Sequence, residues 1–327
     1  MKVRIGIIGC GGISKPHAEG YAKIPEQAEV VACCDVVEDS ARATAAKAGG
    51  QPAIFTNWKK MLKAVELDAV DICLPHYLHC PAILDAAKAG KHVICEKPLC
   101  RTLAEAARIE KAIAAAGIIY MASHNQLFQP CLRAIREVLD SGRLGKRFWI
   151  RTQDAFYMNW SREKLGWRAD LKKQGGGELI DTGYHPTYTL LYLADAPIRR
   201  ITAAQSRLRL DALQADDTSC VNVQFANDVL GQIFTSWAMP IPAGSHKVHA
   251  ICADGQVWGG GSDMWVQPTG ATEPEHRQFE QVNTIHAAVA HFVECVQQRK
   301  TPLATLQSAK EVLALILAAQ KQGMPKA

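Results

Sequence analysis

Residues 3–14 read VRIGIIGCGGIS, a short apolar run that passes directly into a cluster of glycines. The pattern predicts a buried strand over Val3–Ile8, a tight turn over residues 9–12 and a helix that runs to about Lys23. This order of strand, turn and helix is the context that a dinucleotide-binding turn requires. In such a turn Gly9 permits the sharp bend and Gly11 lets the backbone approach a pyrophosphate. The N-terminus of the helix then offers free N–H groups and the positive end of its dipole.

The predicted second strand supplies an acidic partner for this turn. Val30–Cys34 is apolar and ends at Asp35, which lies 23 residues after Gly12. The dinucleotide motif places a carboxylate about 20 residues on, where it accepts hydrogen bonds from the adenosine ribose. Because a carboxylate there repels a 2′-phosphate, we expect NAD rather than NADP. On these residues alone, Asp35 as a helix N-cap beside an ordinary glycine turn remains an alternative.

The rest of the first 120 residues alternates short apolar runs with alanine-rich amphipathic stretches. Nearly continuous apolar strands between helices are typical of a parallel, doubly wound sheet. The predicted strands are Ala69–Leu74, His92–Cys95 and Ile118–Met121, and the predicted helices are Ser40–Ala48, Cys80–Ala89 and Leu103–Ala116.

The pattern changes after about Asn125. Hairpin-like runs follow one another without crossover helices, which indicates an open antiparallel or mixed sheet. These runs are Ile201–Ser206, Ser219–Phe225, Leu230–Trp237 and Lys247–Ala253, and two apolar helices follow near Ile285–Gln297 and Ser308–Gln320. We therefore predict an α/β protein with a Rossmann domain at residues 1–122 and a substrate-binding and oligomerisation domain at residues 123–327. The last helices are expected to pack back on the first domain.

Composition excludes several classes of protein. The 327 residues are 48% hydrophobic and 21% charged, with a net charge of +5 and a mean hydropathy of −0.07. These values exclude a disordered chain, and the length predicts two domains. No nucleic-acid-binding motif accompanies the few basic pairs, and no apolar run approaches the roughly 18–20 residues of a membrane span. The 11 cysteines never form a CxxC pair. Together these features predict a soluble, cytoplasmic protein with neither a nucleic-acid nor a membrane partner.

A lysine follows the fifth predicted strand directly. Glu96, Lys97 and Pro98 come after His92–Cys95, and ligand sites in doubly wound sheets lie beyond the carboxyl ends of the strands. We expect Lys97 in the nicotinamide crevice, where a partly desolvated lysine polarises or deprotonates a substrate hydroxyl. From these three residues alone, a surface lysine in a turn is the simpler explanation.

A carboxylate and an imidazole stand four residues apart in the second half. Asp181 and His185 share a face if the segment is helical, and Tyr188 lies one step further along it. A carboxylate beside an imidazole fixes its tautomer and raises its basicity, as hydride-transfer chemistry needs. Pro186 predicts a kink or a helix restart at this point. Taken alone, such a pair is more often a structural hydrogen bond.

These motifs together resemble the Gfo/Idh/MocA oxidoreductase family. The residues that carry the resemblance are GCGG at 9–12, Asp35, PHYLH at 75–79, AGKHVICEKPL at 89–99 and GGGELIDTGYH at 175–185, with further marks at Asn125–Pro130, SGRLG at 141–145 and WR at 167–168. The resemblance covers at least residues 3–190, and the last third fits only in its layout. It implies a Rossmann domain, a second domain whose open sheet forms dimers or tetramers, and hydride transfer between NAD(P) and a carbohydrate or polyol.

The resemblance also implies roles for single residues. His185 would be the general base, Lys97 would hold and polarise the reacting hydroxyl before a cis Pro98, and Asp181 would orient the substrate or the histidine. The implied cofactor-binding residues are Gly9, Gly11, Gly12, Ile13, Asp35, Leu74, Pro75, His79, Glu96 and Lys97. The expected substrate-binding residues are Asn125, Gln126, Tyr157, Trp167, Arg168 and Tyr188. Trp160 and Trp167 as packing residues and Arg168 as a structural ion pair remain alternatives. We expect no metal site and interpret the polar residues at 73–80 as a cofactor-lining loop.

Three departures from the family pattern concern the substrate. His76 replaces a common asparagine, Gln126 and Leu127 replace two arginines, and Tyr188 stands where an aspartate often follows the histidine. These changes weaken an assignment to inositol or a standard hexose. The function expected is an NAD-dependent dehydrogenase that oxidises a ring hydroxyl of a sugar, cyclitol or glycoside, or runs the reverse reduction. The alternatives are an NAD-dependent glycosidase that oxidises C3 transiently and a non-catalytic NAD-sensing protein.

Overall fold

The computed structural model describes residues 2–323. In the first part of the chain, six parallel strands form one sheet. The strand order β3-β2-β1-β4-β5-β6 is that of a doubly wound Rossmann sheet, as predicted. The strands are β1 Val3–Ile8, β2 Ala28–Cys34, β3 Ala53–Phe55, β4 Ala69–Ile72, β5 His92–Cys95 and β6 Tyr120–Ala122, and the helices are α1 Ser14–Ala22, α2 Glu38–Ala48, α3 Trp58–Ala64, α4 His76–Lys88 and α5 Leu103–Ala116.

Two of these elements were not predicted, and one begins earlier than expected. β3 has only three residues, Ala53–Phe55, none of them buried, and this apolar run is too short to indicate a strand. The short helix α3 follows it and is capped by Asn57, whose side chain accepts two backbone N–H groups. α4 starts at His76 rather than Cys80, because Pro81 lies inside the helix and does not mark its start.

The second part of the chain contains an eight-stranded mixed sheet in the order β14-β13-β12-β11-β7-β10-β9-β8. All its neighbouring pairs are antiparallel except β7 and β10, which confirms the predicted mixed sheet. The helices are α6 Pro130–Asp140, α7 Arg162–Leu165, α8 Leu171–Gln174, α9 Glu178–Asp181 and α10 Tyr184–Ala194, and the strands are β7 Arg147–Ala155, β8 Ile198–Ser206, β9 Thr218–Phe225, β10 Leu230–Ser236, β11 Val248–Cys252, β12 Gly255–Gly260, β13 Asp263–Pro268 and β14 Glu275–Gln278.

The two faces of this sheet differ. Helices α6 and α10 pack on one face, where Ile150, Val257 and Met264 are fully buried. The other face carries a row of aromatic rings on β7 and β11–β14, in which each ring lies 5.0–6.3 Å from the next between centroids. The row consists of Trp149, His249, Trp258, Trp265 and His276.

The last two helices are α11 Thr284–Gln298 and α12 Leu306–Gly323. The chain divides into two compact units, of which the first extends to Asn125 and includes Asn283–Lys310, so α11 belongs to it. The second unit comprises Gln126–Val282 and the chain from Glu311. Within the first unit α11 packs on α1, where a Cβ on Gly20 would lie 2.6 Å from Val289 Cγ2.

Among residues 2–323, none of the helices combines the length and the apolar composition that crossing a bilayer demands. All eleven cysteines are free thiols, and ten of them are buried.

Candidate active site

The glycine turn after β1 has the shape that a dinucleotide needs. Gly9 adopts φ +90°, and a Cβ there would lie 2.6 Å from the carbonyl oxygen of Cys73, so this position accepts glycine only. Gly11 and Gly12 are exposed, and no atom lies within 4 Å of a Cβ built on either. Helix α1 begins two residues later, so the positive end of its dipole adjoins this open space. The turn therefore fits a pyrophosphate.

Ser14, which replaces the usual third glycine, packs inside the fold. Its hydroxyl donates to the carbonyl oxygen of Gly11 at 2.7 Å and lies 2.9 Å from the hydroxyl of Thr44 on α2. Ser14 is fully buried. The small hydroxyl side chain thus takes the close-packed position of the glycine and satisfies its own polar atom.

Asp35 ties the end of β2 to the glycine turn. One carboxylate oxygen accepts the Cys10 N–H at 2.7 Å, and the other accepts the Val37 N–H at 2.9 Å. Helix α2 has Val37 at its N-cap position without a side-chain cap, so Asp35 is not the cap of that helix. The next four residues are Val36, Val37, Glu38 and Asp39, which offer no positive charge to a 2′-phosphate.

Two loops follow β4 and β5 at the carboxyl edge of the sheet. They carry Leu74 and Pro75 on one side and Glu96, Lys97 and Pro98 on the other. The peptide between Lys97 and Pro98 is cis, as the resemblance implied.

His79, in helix α4, contacts the backbone of both loops. Its Nδ1 lies 2.6 Å from the carbonyl oxygen of Pro98, and its Nε2 lies 2.7 Å from that of Leu74. The ring is fully buried, and burial lowers the pKa of His79. His79 therefore holds the loops of the nucleotide site in position, whereas direct contact with a cofactor stays a prediction. Both ring nitrogens of His79 are occupied by these carbonyl oxygens.

Glu96 is part of a buried polar cluster that the sequence patterns did not reveal. It is 8% exposed, and its Oε1 lies 3.1 Å from Nε2 of His17 on α1. His17 in turn contacts Asp71 on β4. His17 lies in a predicted helix and Asp71 in a predicted strand, and no sequence motif includes either residue. Only the contact between them in the folded structure identifies them as members of a cluster.

In the second unit, Asp181 and His185 lie on either side of a helix break. α9 ends at Asp181 and α10 restarts at Tyr184, with Pro186 in its first turn, where a missing N–H costs nothing. The predicted restart is confirmed. A Cβ on Gly183, between the two helices, would lie 2.7 Å from Leu179 Cα, so the glycine allows the close turn.

Each member of this pair has a polar side chain of the second unit as a hydrogen-bond partner. The Arg168 Nε–H donates to Asp181 Oδ2 at 2.6 Å, and Asp181 is 3% exposed. His185 Nδ1 lies 2.7 Å from the hydroxyl of Tyr188, which also accepts the backbone N–H of Gln126 at 3.2 Å. Tyr188 thus stands beside the imidazole at the position of the family's common aspartate.

Arg168 also packs against aromatic rings. Its guanidinium lies 4.3 Å from the ring centroid of Trp167 and 5.9 Å from that of Trp160. Tyr157 is 59% exposed and stacks under Arg209 at 5.0 Å. The structure therefore gives Arg168 the ion pair that the sequence left as an alternative.

Gln126 and Lys247 both contact the carboxylate of Asp154 in the second unit. The side chain of Gln126 reaches Asp154 at 3.5 Å, and Lys247 Nζ pairs with the same carboxylate at 3.2 Å. Sequence analysis missed Lys247, since an isolated lysine before a strand carries no motif. Asn125, in the first unit, donates to the hydroxyl of Thr284 at 2.8 Å.

Glu178 is a fully buried carboxyl group in α9. Its Oε1 accepts a hydrogen bond from the hydroxyl of Thr235 at 2.5 Å. Burial raises the pKa of Glu178 well above its ordinary value, and the negative charges of Asp216 and Asp181 act in the same direction. The surroundings therefore favour the neutral, protonated form of Glu178.

A Rossmann sheet with an open nucleotide turn, followed by an α/β unit with a polar His–Tyr and Arg–Asp set, defines a dinucleotide-dependent oxidoreductase. Comparison with models of known protein families gives the same class of protein. The model described as "Oxidoreductase family, NAD-binding Rossmann fold" matches residues 3–124, and the GFO/IDH/MocA C-terminal domain matches residues 132–257. The chain belongs to the Gfo/Idh/MocA family of oxidoreductases.

Relatives in this family have named activities. The 1,5-anhydro-D-fructose reductase of Ensifer adhaerens is 26% identical over 325 residues, which cover 97% of this chain and 95% of that protein. The myo-inositol 2-dehydrogenase of Thermotoga maritima is 29% identical and aligns with 72% of this chain and 68% of its own length. Among solved structures, a levoglucosan dehydrogenase in complex with NADH and levoglucosan has a TM-score of 0.88 and 19% identity, and the match covers 98% of this chain and 97% of that chain. This likeness shows the shared fold.

Proposed function

We propose that the protein is an NAD-dependent dehydrogenase that oxidises a ring hydroxyl of a sugar, cyclitol or glycoside, or runs the reverse reduction. The observation that carries the proposal is the polar set of the second unit. The imidazole of His185 is held by Tyr188, and the carboxylate of Asp181 is held by Arg168. This set occurs in a family whose named relatives act on sugars and cyclitols.

The proposed roles follow from the chemistry of each residue. When bound, NAD supplies the hydride acceptor. With Nδ1–H donating to Tyr188, His185 keeps the lone pair of Nε2 to take the hydroxyl proton as general base. Lys97 holds and polarises the same hydroxyl with its ammonium group. Asp181 and Arg168 bind and orient further hydroxyls of the substrate, because a paired carboxylate and guanidinium offer acceptors and donors at fixed positions.

The cofactor preference is proposed from the end of β2. Asp35 presents a carboxylate to the adenosine ribose, and Glu38 and Asp39 add negative charge where NADP carries its 2′-phosphate. Val36, the residue directly after Asp35, is 81% exposed and carries no positive charge. These features favour NAD over NADP.

A panel of sugars, cyclitols and glycosides, followed by the absorbance of NADH or NADPH, tests the proposal. The expected result is net reduction of NAD by at least one polyol or sugar, with weaker use of NADP. Cleavage of a glycoside without net NADH would contradict it in favour of a glycosidase. Tight NAD binding without turnover of any compound would contradict it in favour of a sensor.

We also propose that copies of this chain associate through the aromatic row of the second sheet. Trp149, Trp258 and Trp265 are partly exposed there, and Ile251, opposite Trp149 in the register, is 39% exposed. A row of large apolar side chains on one sheet face is typical of an interface.

The free and mostly buried thiols support our further proposal that the protein is cytoplasmic.

A further inference from the structure

A buried polar cluster lies among α1, β4 and the loop after β5 in the first unit. His17 on α1 has no exposed surface, and neither has Asp71 on β4. His17 Nδ1 lies 2.8 Å from Asp71 Oδ2, and its Nε2 lies 3.1 Å from Glu96 Oε1. The second carboxylate oxygen of Glu96 accepts the backbone N–H of Lys97 at 3.3 Å. The cluster thus connects the core of the sheet to the backbone of Lys97.

The hydrogen bonds fix the protons of the cluster. Both ring nitrogens of His17 face carboxylate oxygens, so both are N–H donors and the ring is an imidazolium. Asp71 receives two further donors, the hydroxyl of Tyr21 at 2.9 Å and the thiol of Cys73 at 3.4 Å. Asp71 thus accepts three hydrogen bonds, and one of them fixes the Nδ1–H of His17 towards its carboxylate.

We propose that His17, fixed by Asp71, is a positioning residue that holds Glu96 as an anion behind Lys97 and so sets the reactivity of the Lys97 amine. The proposal rests on the proposed function in so far as that function gives Lys97 its role in turnover. Glu96 alone, next to a lysine in a turn, would be free to protonate or to rotate. The imidazolium holds one oxygen of Glu96, which leaves the other for the backbone of Lys97.

The pKa directions agree with this geometry. Burial opposes a charge on His17, but the adjacent Asp71 carboxylate outweighs it, and the pKa of His17 is raised well above its ordinary value. Burial likewise favours protonated Glu96, yet the hydrogen bond and charge of His17, with the charge of Lys97, lower the pKa of Glu96 to about 2. The titratable groups that face the pair from the surrounding elements are Tyr21, Asp71, Cys73, His79, Cys95, Lys97 and His286.

A metal ion is the competing explanation for part of the cluster. The ligand atoms of His17, Asp71 and Cys73 all lie within 4.8 Å of one another. However, both nitrogens of His17 are already occupied by carboxylates, and burial raises the pKa of the Cys73 thiol, which disfavours the thiolate that a metal would need. The hydrogen bonds therefore favour the charged network.

The test uses the full-length protein without substrate. Nitrogen-15 NMR of labelled histidines reports the protonation of each ring, and a His17→Gln variant assigns the His17 signal. The rate at which an acylating reagent labels Lys97, read by peptide mass spectrometry, reports the amine. Variants are His17→Gln, Glu96→Gln, the double variant, and His92→Gln as a control at the other end of β5.

The proposal predicts a His17 ring that stays doubly protonated at pH values where an ordinary histidine has lost its proton. It also predicts that His17→Gln and Glu96→Gln each speed the labelling of Lys97 by about tenfold, because Glu96→Gln removes the anion and His17→Gln removes the cation that keeps Glu96 ionised. The double variant then adds nothing to Glu96→Gln, and His92→Gln leaves the rate unchanged. A purely structural role would instead give additive effects.

A neutral His17 at pH 7, additive labelling rates, or a stoichiometric zinc ion in the purified protein would overturn the proposal. If no sugar or polyol is oxidised but the ring stays charged and the rates are non-additive, the proposed function fails while the network stands. If turnover is found, the proposal further predicts that His17→Gln lowers kcat more than it raises KM.

Discussion

Glu178 is a residue whose charge the folded state disfavours. Its carboxyl group is fully buried, and its pKa is raised well above the ordinary value of 4.5. The folded chain therefore keeps a proton that the unfolded chain releases above about pH 4.5. The stability that this group contributes is fully present below that pH and is lost progressively as the pH rises towards the folded-state pKa.

The Glu178→Gln variant should not show this loss, because an amide stays neutral. Relative to the native chain, its free energy of unfolding should rise by up to about 1.4 kcal/mol per pH unit above pH 4.5, until the native carboxyl group ionises. Urea unfolding at several pH values measures the difference. The exposed Glu137→Gln serves as control, and a difference that is independent of pH would contradict the burial of a neutral Glu178.

Val36 tests the cofactor preference at a single position. Because its side chain is 81% exposed, an arginine fits there without disturbing the core. Val36→Arg should improve kcat/KM with NADP relative to NAD by about tenfold, since a guanidinium pairs with a 2′-phosphate. Val36→Gln, which has similar reach without charge, should leave the ratio near that of the native chain. An equal ratio in both variants would show that the 2′-position lies elsewhere.

Two glycines in the turn between β1 and α1 allow the effect of a substitution on stability to be separated from its effect on NAD binding. Gly9→Ala should lower the free energy of unfolding by about 2–4 kcal/mol, because the Cβ meets the Cys73 carbonyl in a left-handed conformation. Gly11→Ala meets no atom and should change stability by less than about 1 kcal/mol. It should still weaken NAD binding, measured by calorimetry, by about tenfold or more, since backbone approach to the pyrophosphate needs a glycine. Unchanged NAD affinity in Gly11→Ala would place the pyrophosphate elsewhere.

Elements with a strong apolar pattern could be predicted from the sequence, and those without one could not. β1, β2 and β5 are mostly buried, and all their residues except Arg4, Glu29 and His92 are small or apolar. β14 has four exposed residues, and β12 contains three glycines, so neither shows the alternation that marks a strand. Both form because β13 and β11 pair with them, and such pairing is a tertiary contact.

In the candidate site, too, features with a local sequence pattern could be predicted, and features that depend on tertiary contacts could not. Motif spacing predicted Lys97, Asp181 and His185 as site residues, and those roles stay predictions. Their hydrogen-bond surroundings could not be predicted: Tyr188 contacts His185, and His17 reaches Glu96 across 79 residues of sequence. A contact between Tyr188 and substrate stays a prediction. Hydrogen bonds between distant segments depend on packing that no local pattern records.

At the scale of the whole molecule, the aromatic row of the second sheet predicts self-association. Trp265→Glu should place a charge in the middle of the row and convert the oligomer to monomer, as measured by light scattering after gel filtration. Leu208→Glu, at an exposed position outside the sheet, is the control. A native protein that is monomeric, or an oligomer that survives Trp265→Glu, would contradict the assignment of this face.

The central claim is that Lys97 and His185 carry the acid–base chemistry of an NAD-dependent oxidation. The most direct test measures kcat/KM on an active sugar or polyol, together with NAD affinity, for Lys97→Ala, His185→Ala and the control His92→Gln. We predict that each alanine variant loses about 10²–10⁴-fold in kcat/KM and binds NAD as tightly as the native chain. Near-native turnover in either variant, or an equal loss of NAD affinity in both, would contradict the claim.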